Sequence, residues 1–112
     1  MIVIISYEIS LLRTEMELLA REKKGIVLNP DNQSIMYIRK HKPKLIILDL
    51  SSAESLIYEV YTSIKKEFPE TKFILTGFQK FIKGPFENVN EVKIFPYNTK
   101  KVKQVIKEQF KL

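Results

Sequence analysis

Hydrophobic positions fall along the chain in two alternating textures. Short apolar runs occur at Ile2-Val3-Ile4-Ile5, Ile26-Val27-Leu28, Leu45-Ile46-Ile47-Leu48, Phe73-Ile74-Leu75 and Val92-Lys93-Ile94-Phe95. All but the last are unbroken and rich in β-branched residues. An unbroken run predicts a strand covered on both faces, as in a parallel sheet between helical layers, whereas a one-sided sheet would alternate. Between the runs, apolar residues return at helical spacing. Ile9, Leu12, Met16 and Leu19 predict a first helix, stopped at Gly25 beyond the basic pair Lys23-Lys24. Asp31 can cap a second helix carrying Ile35, Met36 and Ile38, which must end before Pro43. Ser51 or Ser52 can cap a third, with Leu56, Ile57, Val60 and Ile64 inward and Pro69 past its end. Thr99 can cap the last, whose stripe is Val102, Val105, Ile106 and Phe110.

The order is βαβαβαβ, an irregular stretch, then βα. It predicts an α/β protein with a flavodoxin-like, doubly wound, five-stranded parallel sheet of order 2-1-3-4-5 and helices on both faces. Ligand chemistry in such a sheet belongs at the carboxyl ends of the strands. Gly77, Gly84, Pro85, Asn88 and Asn90 predict a short or distorted helix at most between residues 77 and 91. Phe78, Phe81 and Phe86 cannot all be core in so irregular a segment, so part of this cluster is expected at the surface. No repeat or linker divides the chain, and residues 1–112 are expected to form one domain.

Composition narrows the chemistry. With 112 residues, 45% hydrophobic and 29% charged, the chain fits one ordinary globular domain. It has no cysteine, which removes disulfides, thiol catalysis and thiolate zinc sites, and one histidine, which removes any His pair. That histidine, His41, follows Arg39-Lys40 at a helix end, where a cation suits the dipole. No Gly-x-Ser-x-Gly elbow is present, and Gly25, Gly77 and Gly84 make no phosphate loop. The apolar start is cut off by Ser6-Tyr7-Glu8, too short for a signal peptide or a membrane span, so a cytoplasmic protein without membrane contact is expected. The net charge of +6 is unevenly placed: residues 1–92 hold 13 basic against 12 acidic residues, while residues 93–112 hold Lys93, Lys100, Lys101, Lys103, Lys107 and Lys111 against Glu108. The last strand and helix therefore form a candidate partner face, with Lys93, Lys100, Lys103 and Lys107 at its centre.

The strand ends read Ser6-Tyr7-Glu8, Leu48-Asp49-Leu50-Ser51-Ser52, Leu75-Thr76-Gly77 and Ile94-Phe95-Pro96-Tyr97. With these ends, and above all with Pro43 to Leu50 and Phe95 to Asn98, the whole chain resembles the response-regulator receiver domains of two-component signalling. The resemblance places Asp49 at the phospho-acceptor position, Thr76 at the hydroxyl that senses the phosphoryl group, and Pro96 at a proline usually preceded by a cis bond. It also exposes departures. Ser6-Tyr7 stands where the family has paired acids for Mg²⁺, and Glu8 is one residue out of place. Phe95 replaces the lysine that holds the phosphoryl oxygen, and Lys93, two residues earlier, shares its side of the strand at another depth. Ala53 and Ile57 replace a usual proline and glycine.

Phosphoryl transfer depends on positioning and charge neutralisation, and these substitutions remove both. The expectation is a degenerate, non-catalytic pseudo-receiver in which Asp49 is an inactive phospho-acceptor position serving as a hydrogen-bonding cap. Ser6, Tyr7, Glu8, Thr76, Phe95 and Pro96 would form the degenerate pocket, filled by Tyr7 and Phe95. No cofactor or metal is expected. Function would run through a protein partner or self-association in signal transduction or transcription regulation, with a fused ATPase or DNA-binding domain in a longer protein. Leu48 to Glu54 resembles the amino-terminal domain of sigma-54-dependent activators. One alternative is a working phospho-receiver using Asp49, with Mg²⁺ and Glu8 as an imperfect ligand. Another is nucleic-acid binding by the basic last helix, disfavoured because that helix has neither arginine nor exposed aromatics. A symmetric dimer would interleave Glu87, Glu91 and Glu108 with the lysines, or use the first two helices instead.

Overall fold

The apolar runs form the five strands of one parallel sheet. The structure, a computed structural model, describes residues 1–51, 55–78 and 84–112; Ser52, Ala53, Glu54 and Phe81 lie outside these, as does the side chain of Ser55. The elements are β1 (Ile2–Ile5), α1 (Arg13–Glu22), β2 (Ile26–Leu28), α2 (Asn32–His41), β3 (Leu45–Asp49), α3 (Ser55–Glu67), β4 (Lys72–Thr76), β5 (Val92–Ile94) and α4 (Thr99–Gln109). The strand order is β2-β1-β3-β4-β5, the expected doubly wound arrangement. Its register sets Ile5 beside Leu48, Asp49 beside Thr76, and Thr76 beside Ile94, so the carboxyl ends of the central strands are level.

Alternation along each buried strand supplies two cores. Ile2, Ile4, Leu45, Ile47, Ile74 and Ile94 meet Met16 and Leu19 of α1 and Val102 and Ile106 of α4 on one face. Val3, Ile5, Ile46, Leu48, Phe73 and Leu75 meet Ile38 of α2 and Ile57, Val60, Tyr61 and Ile64 of α3 on the other. The sheet also fixes Gly25: a Cβ there would run into the Ile2 carbonyl oxygen, so the turn into β2 needs glycine. Among the described residues no helix is long and apolar enough to cross a membrane.

Four details differ from the periodicity. Ile9 is 85% exposed in a turn, because α1 begins only at Arg13. The hydroxyl of Ser10 accepts from the Leu12 amide at 3.1 Å, an alternative to helical pairing that delays the helix. Leu56, expected inward, is exposed, and so is Met36. Adjacent helical residues point about 100° apart, so the half-buried Ile35 and the buried Ile57 take the inward positions from their neighbours. Asn98, not Thr99, caps α4: its extended backbone lets Oδ1 accept from the Lys101 amide at 2.9 Å, while Thr99 Oγ1 donates to the Tyr97 hydroxyl at 3.0 Å. Finally, residues 84–91 run as turns and bends, while residues 79–83, the rest of the span expected to hold a short or distorted helix, lie outside the described residues. Phe86 is fully buried there, edge-on to Tyr58 and Tyr61, whereas Phe78 is 59% exposed. Glu91 closes the segment, accepting from the Tyr61 hydroxyl at 2.8 Å and pairing with Lys65 at 3.1 Å.

Candidate functional site

Asp49 ends β3 between the carboxyl ends of β1 and β4, and it is 1% exposed. Both carboxylate oxygens are engaged. Oδ2 accepts from Ser6 Oγ at 2.7 Å and from Ser10 Oγ at 2.5 Å, while Oδ1 accepts from the Ser51 amide at 3.0 Å. The expected cap is thus present, but it closes the loop two residues on and not α3, which starts later at Ser55. Hydrogen bonds to an ionised acceptor are the strong kind, and these three tie the connection after β1 to the connection after β3.

The arginine at this end of the sheet does not bond to the acid. Arg13 Nη1 donates to the Ser6 carbonyl at 2.6 Å and to Asn29 Oδ1 at 3.1 Å, and its Nε pairs with Glu17 at 3.0 Å. Ser10 and Arg13 are members of this network that sequence reasoning missed. The available signal was a small hydroxyl residue and a cation in the connection leaving β1, the segment that faces Asp49 in any sheet of this order.

The other candidates divide into those brought to the site and those turned from it. Thr76 is buried beside Asp49, but its Oγ1 donates to the Ile94 carbonyl at 2.6 Å. Tyr7 and Phe95 are half-buried and pack against the core on the α2–α3 face. Burial, with the charge of Glu59 adding to it, pushes the Tyr7 hydroxyl above its ordinary pKa. Phe95 lies against Gly77, where a Cβ would come within 3.0 Å of its ring, and the Phe95–Pro96 bond is cis. Pro96 and Glu8 are exposed. Lys93 is exposed too: its Nζ donates to the Val89 carbonyl at 2.6 Å and the Glu87 carbonyl at 3.3 Å, away from Asp49. Of the α4 face, Lys100 and Lys107 are exposed, while Lys103 is half-buried and pairs with Glu22 of α1.

Mg²⁺ wants near-octahedral oxygen acceptors, usually with more than one carboxylate. The residues here do not fit it. Asp49 is faced by hydroxyl and amide donors, Glu8 stands in solvent, and among the described residues no group of three His, Cys, Asp or Glu could hold a metal ion. The rim carries a different character. Exposed apolar side chains stand near the carboxyl ends of the strands: Ile9 and Leu11 after β1, Leu56 in the first turn of α3, and Phe78 after β4.

The fold matches a crystal structure described as a two component transcriptional regulator AraC from Clostridium phytofermentans ISDg, with a TM-score of 0.63, 16% sequence identity, and coverage of 99% of this chain and 98% of that one. The likeness is one of fold, a doubly wound α/β sheet of five parallel strands. No protein-family model matches the chain. No curated protein matches it.

Proposed function

We propose that this chain is a pseudo-receiver: a non-catalytic, receiver-like module of signal transduction and transcription regulation that works through protein–protein contact and not through phosphoryl transfer. The observation that carries the reading is the closure of Asp49, whose two oxygens are held by Ser6, Ser10 and the Ser51 amide in a site 1% exposed. An incoming phosphoryl group needs a free carboxylate oxygen, a cation and a route from solvent. Here the acid accepts from its own chain, Lys93 is bonded elsewhere, and Tyr7 and Phe95 add apolar packing against the α2–α3 core. The description of the matched structure as a transcriptional regulator supports the same role, as does the likeness of residues 48–54 to the start of sigma-54-dependent activators. In a longer protein such a module would bias a fused ATPase or DNA-binding domain.

The contact surfaces this reading favours are the apolar rim and the outward lysines of α4, Lys100 and Lys107, which would suit an acidic partner. Lys93 and Lys103 are committed within the domain and contribute less.

Incubation with Mg²⁺ and acetyl phosphate, or with beryllofluoride, is expected to leave intact mass and the amide resonances around Asp49 unchanged. A stable adduct that disappears in Asp49→Asn would overturn the reading and make the chain a working phospho-receiver.

A further inference from the structure

The net charge belongs to one end of the fold more than to one helix. The ends of the helices and the starts of the strands, residues 22–25, 39–44, 65–72, 91–92 and 107–112, hold 11 basic against 5 acidic residues, a balance of +6. That is the whole net charge, and the rest of the chain is neutral. Parallel strands in register, each followed by a helix running back, bring these segments together at the amino ends of the strands. A helix C-terminus favours a cation, so some basic residues here need no further cause.

The backbone holds more lysine than the dipoles ask for. Arg21, Arg39, Lys40 and Lys107 already serve them in the last turns of α1, α2 and α4. Beyond these turns, three non-glycine residues among the described ones adopt left-handed backbone, and all three are lysines. They are Lys24 after α1 (φ 54°), Lys42 after α2 (φ 46°) and Lys111 after α4 (φ 55°). Helices that end this way usually do so on glycine, because a Cβ costs energy there. Each of the three is exposed, and among the described residues none pairs with an acid. Strain carried by exposed, unpaired cations points to a use for their charge.

Lys42 stands with Lys44 on a groove of about 530 Å³ between the ends of α2 and α3, where Ile38 and Phe68 supply an apolar lining. Of the two acids on this groove, Glu67 is taken by Arg39 at 2.7 Å, which leaves Glu70. We propose that the groove binds an acidic protein segment, an extended stretch whose carboxylates meet Lys42 and Lys44 and whose apolar side chain rests on Ile38 and Phe68. The proposal rests on the reading of the chain as a contact module and gives the acidic partner of that reading its main site. The charge of this end steers the encounter, and the groove fixes the position. A nucleic acid would use the lysines but gain nothing from an apolar lining, and Arg39 beside the groove is held by Glu67. A membrane surface would want apolar side chains projecting from the same end, whereas the most exposed ones among the described residues, Ile9 and Leu11, stand at the opposite end.

The probe is a labelled peptide of about a dozen residues, glutamates around one leucine, followed by fluorescence anisotropy at about 0.15 M salt. A Kd of about 10–100 μM is expected, with amide shifts confined to residues 38–44 and 67–71. Serine in place of the peptide's leucine should weaken binding about tenfold, through loss of the apolar contact. Lys44→Glu should weaken it about tenfold, and Glu70→Lys should tighten it about threefold. Lys42→Gly separates charge from structure: it should weaken binding about threefold while leaving Tm at or above that of the wild type, because glycine relieves the left-handed backbone. Lys100→Glu, at the opposite end, should change nothing. Absence of binding overturns the proposal, as does binding indifferent to Lys44→Glu. Tighter, Lys44-dependent binding of a single-stranded oligonucleotide of equal charge, or of anionic phospholipid vesicles, overturns it in favour of a nucleic acid or a membrane. None of these outcomes touches the reading of Asp49, which the phosphorylation experiment decides separately.

Discussion

Asp49→Ala is expected to lower the free energy of unfolding by about 2–4 kcal/mol in urea titration, without abolishing the fold. Two effects oppose each other. Removing a buried carboxylate relieves its desolvation, which favours the variant. Against this stand three hydrogen bonds to a charged acceptor, each contributing about 1.5–3 kcal/mol, and the donors they leave behind. Ser6 is fully buried, and its hydroxyl keeps only a long contact of 3.4 Å to the Tyr7 carbonyl. The Ser51 amide has no comparable substitute for Asp49 Oδ1. The lost bonds outweigh the relieved desolvation because both connecting loops are held by this one side chain. Asp49→Asn should cost less, about 1–2 kcal/mol, since its carbonyl keeps an acceptor and serine hydroxyls can turn to accept from its amide. Wild-type stability in both variants would show that the carboxylate is no structural tie and would return Asp49 to chemistry.

The fold was legible because its signal is local. Four unbroken β-branched runs separated by helical stripes leave few arrangements, and the strand order follows from short right-handed crossovers. What failed was the choice between neighbouring apolar residues. Periodicity marks the apolar stripe of a helix but not its edge, so it does not tell that Met36 and Leu56 fall outside it while Ile35 and Ile57 fall within. At the site, the resemblance to receiver domains singled out Ser6, Tyr7 and Phe95 as standing where that family has two acids and a lysine. The replacement network was not legible. Ser10 meets Asp49 across 39 positions of chain, and only the folded connection after β1 brings them together. Lys93 was placed on the correct side of its strand by alternation, yet a long flexible side chain goes to the nearest open carbonyls, here those of Glu87 and Val89. The basic face is likewise smaller than its sequence implies, because Glu22 of α1 takes Lys103.

The larger loss of stability is expected at Phe86, a residue outside any regular element. Phe86→Ala should cost about 3–5 kcal/mol, the usual range for emptying a phenylalanine site in a core. The ring is fully buried, its centroid 5.1 Å from that of Tyr58 and 5.6 Å from that of Tyr61 in edge-on contacts. Edge-on aromatic pairs contribute beyond the area they bury, about 0.5–1.5 kcal/mol each. The turn that carries Phe86 is otherwise held by Val89 packing on the same core and by Glu91 on Tyr61 and Lys65. Among the described residues its backbone bonds are Glu87 N to the Gly84 carbonyl at 3.0 Å, Val89 N to the Phe86 carbonyl at 3.2 Å and Glu91 N to the Val89 carbonyl at 3.1 Å, with Lys93 capping two carbonyls from outside. Partial collapse of so short a segment onto the vacated space would soften the loss and place it at the lower end of the range. Phe78→Ala is the control: the same residue type, 59% exposed, should change stability by no more than about 0.5 kcal/mol. Because Lys93 hangs on this turn, Phe86→Ala should also speed amide exchange along β5 while leaving β2, at the opposite edge, unaffected. Equal stabilities for the two alanine variants would mean that the aromatic cluster around Tyr61 does not anchor the turn.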